Sequence, residues 1–557
     1  MNVMKSEVRQ GAYYDSVVLM QLQKALAELP NVADAGVVMA TEANKELLAA
    51  GDLLPANVTA KADDLLIVVK GETETAVTEA INQVDELLTR RKASGSSEYR
   101  PHSLAAAAKQ LPEASWVLIS VPGRYAARVA EEALDLGKHV FLYSDNVPLA
   151  DEVRLKQKAQ RKGLLLMGPD CGTAIVNGVG LGFANRVRRG RIGLVAASGT
   201  GLQAVSSEVH NLGSGLSQAI GTGGRDLKAE VGAITALQAV NLLGKDPTTR
   251  VIVLVSKPPS PKVATQLLQA AQATGKQIVV NFIGFPPPGH KLGNIHFGTS
   301  LVETAELAVH LATTVETSLL SPVRQSVQGY VRGLFSGGTL AYETVLGLTA
   351  VLDQLYTNIP IRPDQQLDDL NRSQGHTIID MGEDEFTQGR LHPMMDNDLR
   401  LRRLRQETAD PEVGFILLDV VLGEGAHPNP AGELSPAIAD AVQAGKKVIA
   451  IVVGTDEDPQ DLNSQIEQLA AAGAIVFPST NEAVDYIFNR LPEPEGNVPP
   501  VSAAAFGGTL SAINVGLESF YESIKAQGGT AVQVEWRPPA GGNEKLMAIL
   551  AKMKQKG

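Results

Sequence analysis

Apolar residues follow two periods along this chain. Runs at 116–121 (Trp-Val-Leu-Ile-Ser-Val), 251–255, 277–284, 415–419 and 448–453 are almost continuously apolar and strand-length. The segments between them keep helical spacing, as Val18, Leu22, Leu26 and Leu29 do within 14–29. Continuous apolar strands alternating with helices predict parallel sheets covered on both faces. Residues 5 to about 92 differ. They read strand, helix, strand, strand, helix, with strands at 36–39 and 65–69 and a second helix at 76–88. That order fits a ferredoxin-like or ACT-like module, or the start of a Rossmann unit. Residues 93–98 and the proline-rich 492–500 read as linkers. The predicted division is an α+β module at 1–95, a Rossmann-like domain at 99–188, doubly wound α/β domains at 189–322 and 325–491, and a βαβα tail at 500–557.

The pattern also repeats. Gly193-Leu-Val-Ala-Ala-Ser-Gly-Thr-Gly-Leu202 is followed by Ile220-Gly-Thr-Gly-Gly-Arg-Asp226. Later, Gly333-Leu-Phe-Ser-Gly-Gly-Thr-Leu340 is followed by Ile379-Asp-Met-Gly-Glu-Asp384. Each copy reads as strand, small-residue turn and helix, then a second strand ending in Gly and Asp. Backbone N–H groups at a helix start lack intrahelical partners and favour phosphate or carboxylate. The anion-binding candidates are Ser198, Gly199, Thr200, Gly201, Gly223, Gly224 and Gly382. The turn Gly168, Pro169, Asp170, Cys171 is expected on the rim of a crevice, because ligands of such sheets lie beyond the strands' carboxyl ends. The two copies are expected to pair pseudo-symmetrically, turning the helix starts after Ser198 and near Gly382 toward one anion.

Composition narrows the chemistry. A net charge of -12 and a single short basic run at 186–191 exclude a nucleic-acid surface. One cysteine, Cys171, leaves no disulfide framework and no cysteine-built metal site, and the nine histidines show no zinc spacing. No metal is expected. The polar opening and strand-length apolar runs point to a cytoplasmic protein without a membrane span.

The motifs at 114–122, Gly168-Pro-Asp-Cys171, Gly190-Arg-Ile-Gly-Leu-Val195 with Ser198-Gly-Thr200, and Gly221-Thr-Gly-Gly224 resemble the α subunit of succinyl-CoA synthetase. Asp380-Met-Gly382 and the stretch 415–423 resemble the carboxyl-terminal domain of that enzyme's β subunit. Asp15-Ser-Val, 141–147, Gly389-Arg-Leu-His-Pro-Met394, 454–460 and Ala540-Gly-Gly-Asn543 extend the resemblance, over the whole chain, to the FdrA family. The resemblance implies a Rossmann-like domain and two flavodoxin-like CoA-ligase domains. It further implies a subunit of oxamate carbamoyltransferase in anaerobic allantoin breakdown. That enzyme interconverts oxalurate plus phosphate with oxamate plus carbamoyl phosphate, and works with two partner subunits.

Two departures from the ligases stand out. Gly293-Asn294 replaces their phosphate-carrying Gly-His, with His290 and His296 nearby, and Lys257 replaces the glutamate that holds that histidine. No ATP-grasp segment is evident. Carbamoyl transfer would then rest on fixed cations and dipoles, with Lys257, Arg225, Arg390 and His392 as catalytic candidates. Arg390 could instead form an ion pair with Glu383 or Asp384, Arg225 could pair with Asp226, and Cys171 reads as packing. No cofactor is required, and CoA is possible. The expected partners are a small anionic substrate, phosphate, the two other subunits and further copies of the chain. The alternatives are an acyl-CoA synthetase with CoA in the 99–188 domain, and a non-catalytic scaffold or sensor.

Overall fold

The computed structural model describes residues 3–10, 16–55, 58–61, 64–90, 100–285, 287, 289–314, 326–492 and 499–538. The 93–98 linker, most of the 492–500 linker, Ala540-Gly-Gly-Asn543 and the last helix expected in the tail lie outside them. The chain forms two compact units, residues 1–155 with 507–557, and residues 156–506. Among the described residues no helix is long and apolar enough to cross a membrane.

The first unit opens with β1 (Val3–Arg9), α1 (Ser16–Ala27), β2 (Val32–Met39), α2 (Glu42–Ala50), β3 (Leu65–Gly71), α3 (Glu74–Asn82) and α4 (Val84–Arg90). The strands form an antiparallel sheet of order β1-β3-β2, the ferredoxin-like arrangement expected. Leu65 to Val69 of the central strand are fully buried. The sequence reading missed α2, whose start is fixed by the Thr41 hydroxyl accepting from Asn44 N at 3.3 Å.

After α5 (Leu104–Gln110) come β4 (Trp116–Ile119), α6 (Gly123–Asp135), β5 (His139–Leu142) and α7 (Leu149–Arg161), which leads into the second unit. That unit begins with β6 (Leu166–Met167), β7 (Thr173–Val176), β8 (Val179–Gly182), β9 (Arg189–Ala196), α8 (Gly199–Asn211), β10 (Leu216–Gly221), α9 (Ile234–Lys245), β11 (Val251–Ser256) and α10 (Pro261–Ala273). It continues with β12 (Gln277–Phe282), β13 (Lys291–Leu292), β14 (Ile295–Phe297) and α11 (Leu301–Thr313). Apart from β6, these strands form one sheet of order β13-β14-β12-β11-β9-β10-β7-β8. Residues 173–182, expected within the 99–188 domain, therefore belong to this sheet. They form a hairpin around Asn177-Gly178, both at positive φ as a two-residue turn of this type requires.

A third αβ set follows: β15 (Tyr330–Phe335), α12 (Gly338–Thr349), β16 (Leu355–Thr357), β17 (His376–Asp380), α13 (Asp384–Thr387), α14 (Asp398–Ala409) and β18 (Val413–Val421). It ends with α15 (Pro430–Gln443), β19 (Lys447–Val453), α16 (Leu462–Ala471), β20 (Ile475–Phe477) and α17 (Thr480–Phe488). Its sheet runs β16-β17-β15-β18-β19-β20. The sequence repeat is thus a topological one, since β10-β9-β11-β12-β14 and β17-β15-β18-β19-β20 share one strand order. The two sets join through Thr265, Gln269, Gln272 and Gly293 on one side and Ala350, Val351, Asn489 and Asp485 on the other. None of these is a predicted site residue.

The tail does not stand apart. β21 (Ser511–Val515), α18 (Glu518–Ala526) and β22 (Thr530–Val534) return to the first unit, where β22-β21-β4-β5 form a parallel sheet. The sheet begun by β4 and β5 is therefore completed by strands that follow them by hundreds of residues, a pairing that local periodicity cannot reveal.

Candidate functional site

The first copy of the repeat builds an open helix start. β9 ends at Ala196, and Ser198, in extended conformation, caps α8 by accepting from Gly201 N at 3.1 Å. The cap leaves Gly199 N and Thr200 N at the first turn without a hydrogen-bond partner among the described residues. Beside them lies Thr173, the first residue of β7. Its hydroxyl is buried and has no partner among the described residues, and it sits 3.6 Å from where a Cβ on Gly199 would be. The tight glycine is Gly201 rather than Gly199. A Cβ there would meet Ser198 Oγ and Val255 Cγ1, both at 3.1 Å.

The Gly168–Thr173 turn lies down on the end of β10. A Cβ on Gly221 would come 2.3 Å from Thr173 O and 2.6 Å from Cys171 Sγ, and one on Gly223 would come 2.4 Å from Pro169 O. Only glycine admits that approach, and Gly223 also holds a positive φ of 87°. The structure thus brings Gly168, Pro169, Asp170 and Cys171 together with Gly223, Gly224 and the start of α8. Asp170 is exposed on this rim, whereas Cys171 lies beneath it. Burial pushes the Cys171 thiol up to about 12, so it is packing and no nucleophile.

Arg225 and Lys257 follow β10 and β11, the strands on either side of β9, so both flank the α8 start. Arg225 is half-buried and Lys257 exposed. Asp226 takes a buried partner other than its neighbour in sequence. Its carboxylate accepts from Lys156 Nζ at 2.6 Å and from Thr235 N and Ala236 N at the start of α9. Lys156 also donates to Thr222 O at 2.9 Å, tying the glycine turn to α7. Sequence reasoning missed Lys156 because it lies 70 residues from Asp226.

The second copy of the repeat is closed. The Asp419 carboxylate, at the end of β18, accepts from Ser336 N at 2.7 Å, Ser336 Oγ at 2.9 Å and Gly337 N at 3.0 Å. It is paired in turn with buried Arg400 at 3.1 Å. A carboxylate of the chain therefore fills the place of an anion. The cradle expected at Gly382 is also absent, because Gly382 N donates to Asp380 Oδ1 at 2.8 Å. The helix that follows, α13, is four residues long and acidic. Burial, then proximity to Asp419, raises the Asp380 carboxyl above the usual range. His392 rests against this turn, its Nε2 3.1 Å from a Cβ on Gly382, and its Nδ1 accepts from Met394 N at 3.2 Å. Arg390 is exposed, and among the described residues it forms no ion pair with Glu383 or Asp384.

Asn294 lies at the opposite end of the second sheet from α8. Its amide donates to Lys276 O at 2.6 Å and Gln272 O at 3.4 Å, beside the start of β12. A six-residue strand separates the two ends, on the order of 15–20 Å. Asn294 thus closes a hairpin. His296 bonds Gln277 there, and His290 is exposed.

Family models match three parts of this architecture. The family described as AllF, heavy metal-associated domain, matches residues 1–103, the CoA binding domain family matches 187–284, and the CoA-ligase family matches 334–486. The CoA-binding match therefore falls on the second sheet and not on the 99–188 region. The uncharacterised protein YahF of Escherichia coli strain K12 is 42% identical over 497 residues, covering 86% of this chain and 96% of that protein. The α subunit of ADP-forming succinate–CoA ligase from Aquifex aeolicus is 28% identical over 184 residues, 32% of this chain and 59% of that subunit. A solved dinucleotide-forming acetyl-coenzyme A synthetase of Ca. Korarchaeum cryptofilum, in its apo form, aligns over 67% of this chain and 82% of its own at 16% identity, with a TM-score of 0.27.

Residues 1–103 do not fit a heavy metal. They hold no cysteine and one histidine, His102, and no group of three metal-ligating side chains occurs among the described residues.

Proposed function

Because the chain belongs to the FdrA family, we propose that it is a subunit of oxamate carbamoyltransferase, acting on allantoin-derived oxalurate in the cytoplasm with two partner subunits. The observation that carries this reading is the open start of α8, where Gly199 N and Thr200 N lack partners among the described residues and the unpartnered buried hydroxyl of Thr173 lies 3.6 Å from where a Cβ on Gly199 would be. Three neutral donors at a helix start suit phosphate or the phosphate end of carbamoyl phosphate. A phosphate oxygen adds to the ureido carbonyl carbon of oxalurate, and the carbonyl oxygen takes up negative charge. The carbonyl re-forms as the bond from that carbon to the oxamate nitrogen breaks, and the nitrogen leaves with the proton that the attacking hydrogen phosphate gives up. Arg225 and Lys257, on either side of α8, stabilise the added charge. Arg390 meets the substrate carboxylate, and His392, held by Met394 and Gly382, is given no proton-transfer role.

A second reading, CoA-dependent acyl ligation, is favoured by the CoA-binding match at 187–284. Against it, Asn294 stands where the ligases carry phosphate, and it is bound to backbone carbonyls at the far end of the sheet. The test is phosphate-dependent oxalurate cleavage by the purified chain with its partner subunits, with Thr173→Val run in parallel. Thr173→Val should raise the KM for phosphate roughly tenfold, the loss of one hydrogen bond to a charged group. CoA-dependent acyl transfer in place of cleavage would replace the first reading with the second.

A further inference from the structure

The N-terminal sheet leaves one side of β1 unpaired. Its order is β1-β3-β2, and β1 bonds β3 along its whole length, from Val3 opposite Gly71 to Arg9 opposite Leu65. Among the described residues no strand pairs with the other side of β1. An edge of this kind is a template for another strand. β1 is seven residues long, has no proline and pairs β3 without a bulge, so of the usual edge protections it carries only charged side chains, Lys5, Glu7 and Arg9.

We propose that this edge joins a second copy of the chain, antiparallel and about a two-fold axis through Ser6. A two-fold axis perpendicular to the sheet pairs residues whose numbers have a constant even sum, because opposed residues must share a face. Centred on Ser6, the register sets Lys5 of each copy opposite Glu7 of the other, and Met4 opposite Val8. Centred on Lys5, it sets Lys5 opposite itself. Centred on Glu7, it sets Glu7 opposite itself and Lys5 opposite Arg9. Of these three registers only the one centred on Ser6 is complementary in charge, and it alone sets all seven residues of β1 opposite one another, whereas a register centred on Val8, which faces Glu7 with Arg9, overlaps only the end of the strand.

The faces agree. Met4 and Val8 already pack on Leu66 and Val68, so their pairing continues that apolar layer across the axis. Lys5 and Glu7 lie on the helix side, where Lys5 donates to Thr78 Oγ1 at 3.1 Å and Glu7 meets Arg9 at 2.8 Å. Both are near the edge and can turn to a facing charge. The product is a continuous six-stranded antiparallel sheet, with α1 and α3 of both copies on one face.

Sedimentation velocity on the full chain tests this with two charge reversals. Lys5→Glu places acid opposite acid twice per dimer, and Glu7→Lys places base opposite base twice. Each alone should raise the dimer dissociation constant about tenfold or more, with unchanged far-UV circular dichroism. Mixed in equal amounts, the two variants should recover a heterodimer, because every facing pair at these two positions then joins an acid on one copy to a base on the other. A monomeric wild type at tens of micromolar, a wild-type-like dimer in Lys5→Glu, or no recovery on mixing would each overturn the proposal. The last result would also expose a mere loss of folding, which mixing cannot repair.

Discussion

Asp419→Asn is the most informative single substitution, because Asp419 closes one of the two repeat copies and is fully buried. Its carboxylate accepts from Ser336 N, Ser336 Oγ and Gly337 N, and it is the counter-charge of Arg400. Arg400 is itself 2% exposed, and its burial lowers its pKa against the opposing pull of Asp419. Asparagine would leave the guanidinium buried with only the Asp419 carbonyl at 2.5 Å and the Asn397 amide at 3.3 Å. Stranding a buried charge costs about 3–5 kcal/mol. The new NH2 would also oppose one of the three donors, adding roughly 1 kcal/mol or more. Arg400→Met is the contrast. It leaves a carboxylate that still takes three hydrogen bonds at the start of α12, so the expected loss is smaller, about 1–3 kcal/mol. Urea unfolding should be followed by far-UV circular dichroism, because both tryptophans, Trp116 and Trp536, lie in the other unit. A loss in Arg400→Met equal to or larger than that in Asp419→Asn, or a loss below about 1 kcal/mol in both, would refute the reasoning.

Three further outcomes are expected. His139, 4% exposed, is pushed down to about 4 by burial, so the unfolded chain takes up a proton from pH 6.5 downward while the folded one does so only near 4; about 3 kcal/mol of stability should disappear as pH falls across that window, and His139→Phe should remove the slope in a tryptophan-monitored titration. Cys171, with its thiol raised to about 12, should resist a thiol reagent at pH 8 in the folded chain and react fully in urea; fast native labelling would contradict its burial. Asn294→His should not create a phosphorylated histidine on incubation with labelled ATP, succinate and CoA, since the position faces the far end of the sheet; a labelled protein would count against the site geometry.

Much of the fold was legible because its strands are buried on both faces and so read as continuous apolar runs, as at 251–255 and 448–453. The repeat was legible as well, from two small-residue turns following two such runs. What escaped were pairings between distant segments. β21 closes on β4, and the 173–182 hairpin joins the second sheet, although Asn177-Gly178 was a readable turn. The site was half legible. Ser198-Gly-Thr-Gly marked a helix start correctly, but the equivalence of the two copies was misleading. One aspartate at the end of a strand, read as part of an apolar run, turns an anion cradle into an internally neutralised cap. Thr173 ended the turn expected on the crevice rim, but its hydroxyl carried no signal of its own, since a single threonine opening a strand is unremarkable until a helix start is set beside it.

The discontinuity of the first unit bears on biosynthesis. β4 ends at residue 119 and its neighbour β21 begins at 511, so on a ribosome adding roughly 5–20 residues per second the apolar edge of β4 waits ~20–80 s for its partner. The whole second unit emerges in that interval and can fold first. The nascent chain therefore carries an unfinished sheet past a finished neighbour. It is in that interval, and not in the completed protein, that chaperone capture or premature strand pairing has its opportunity.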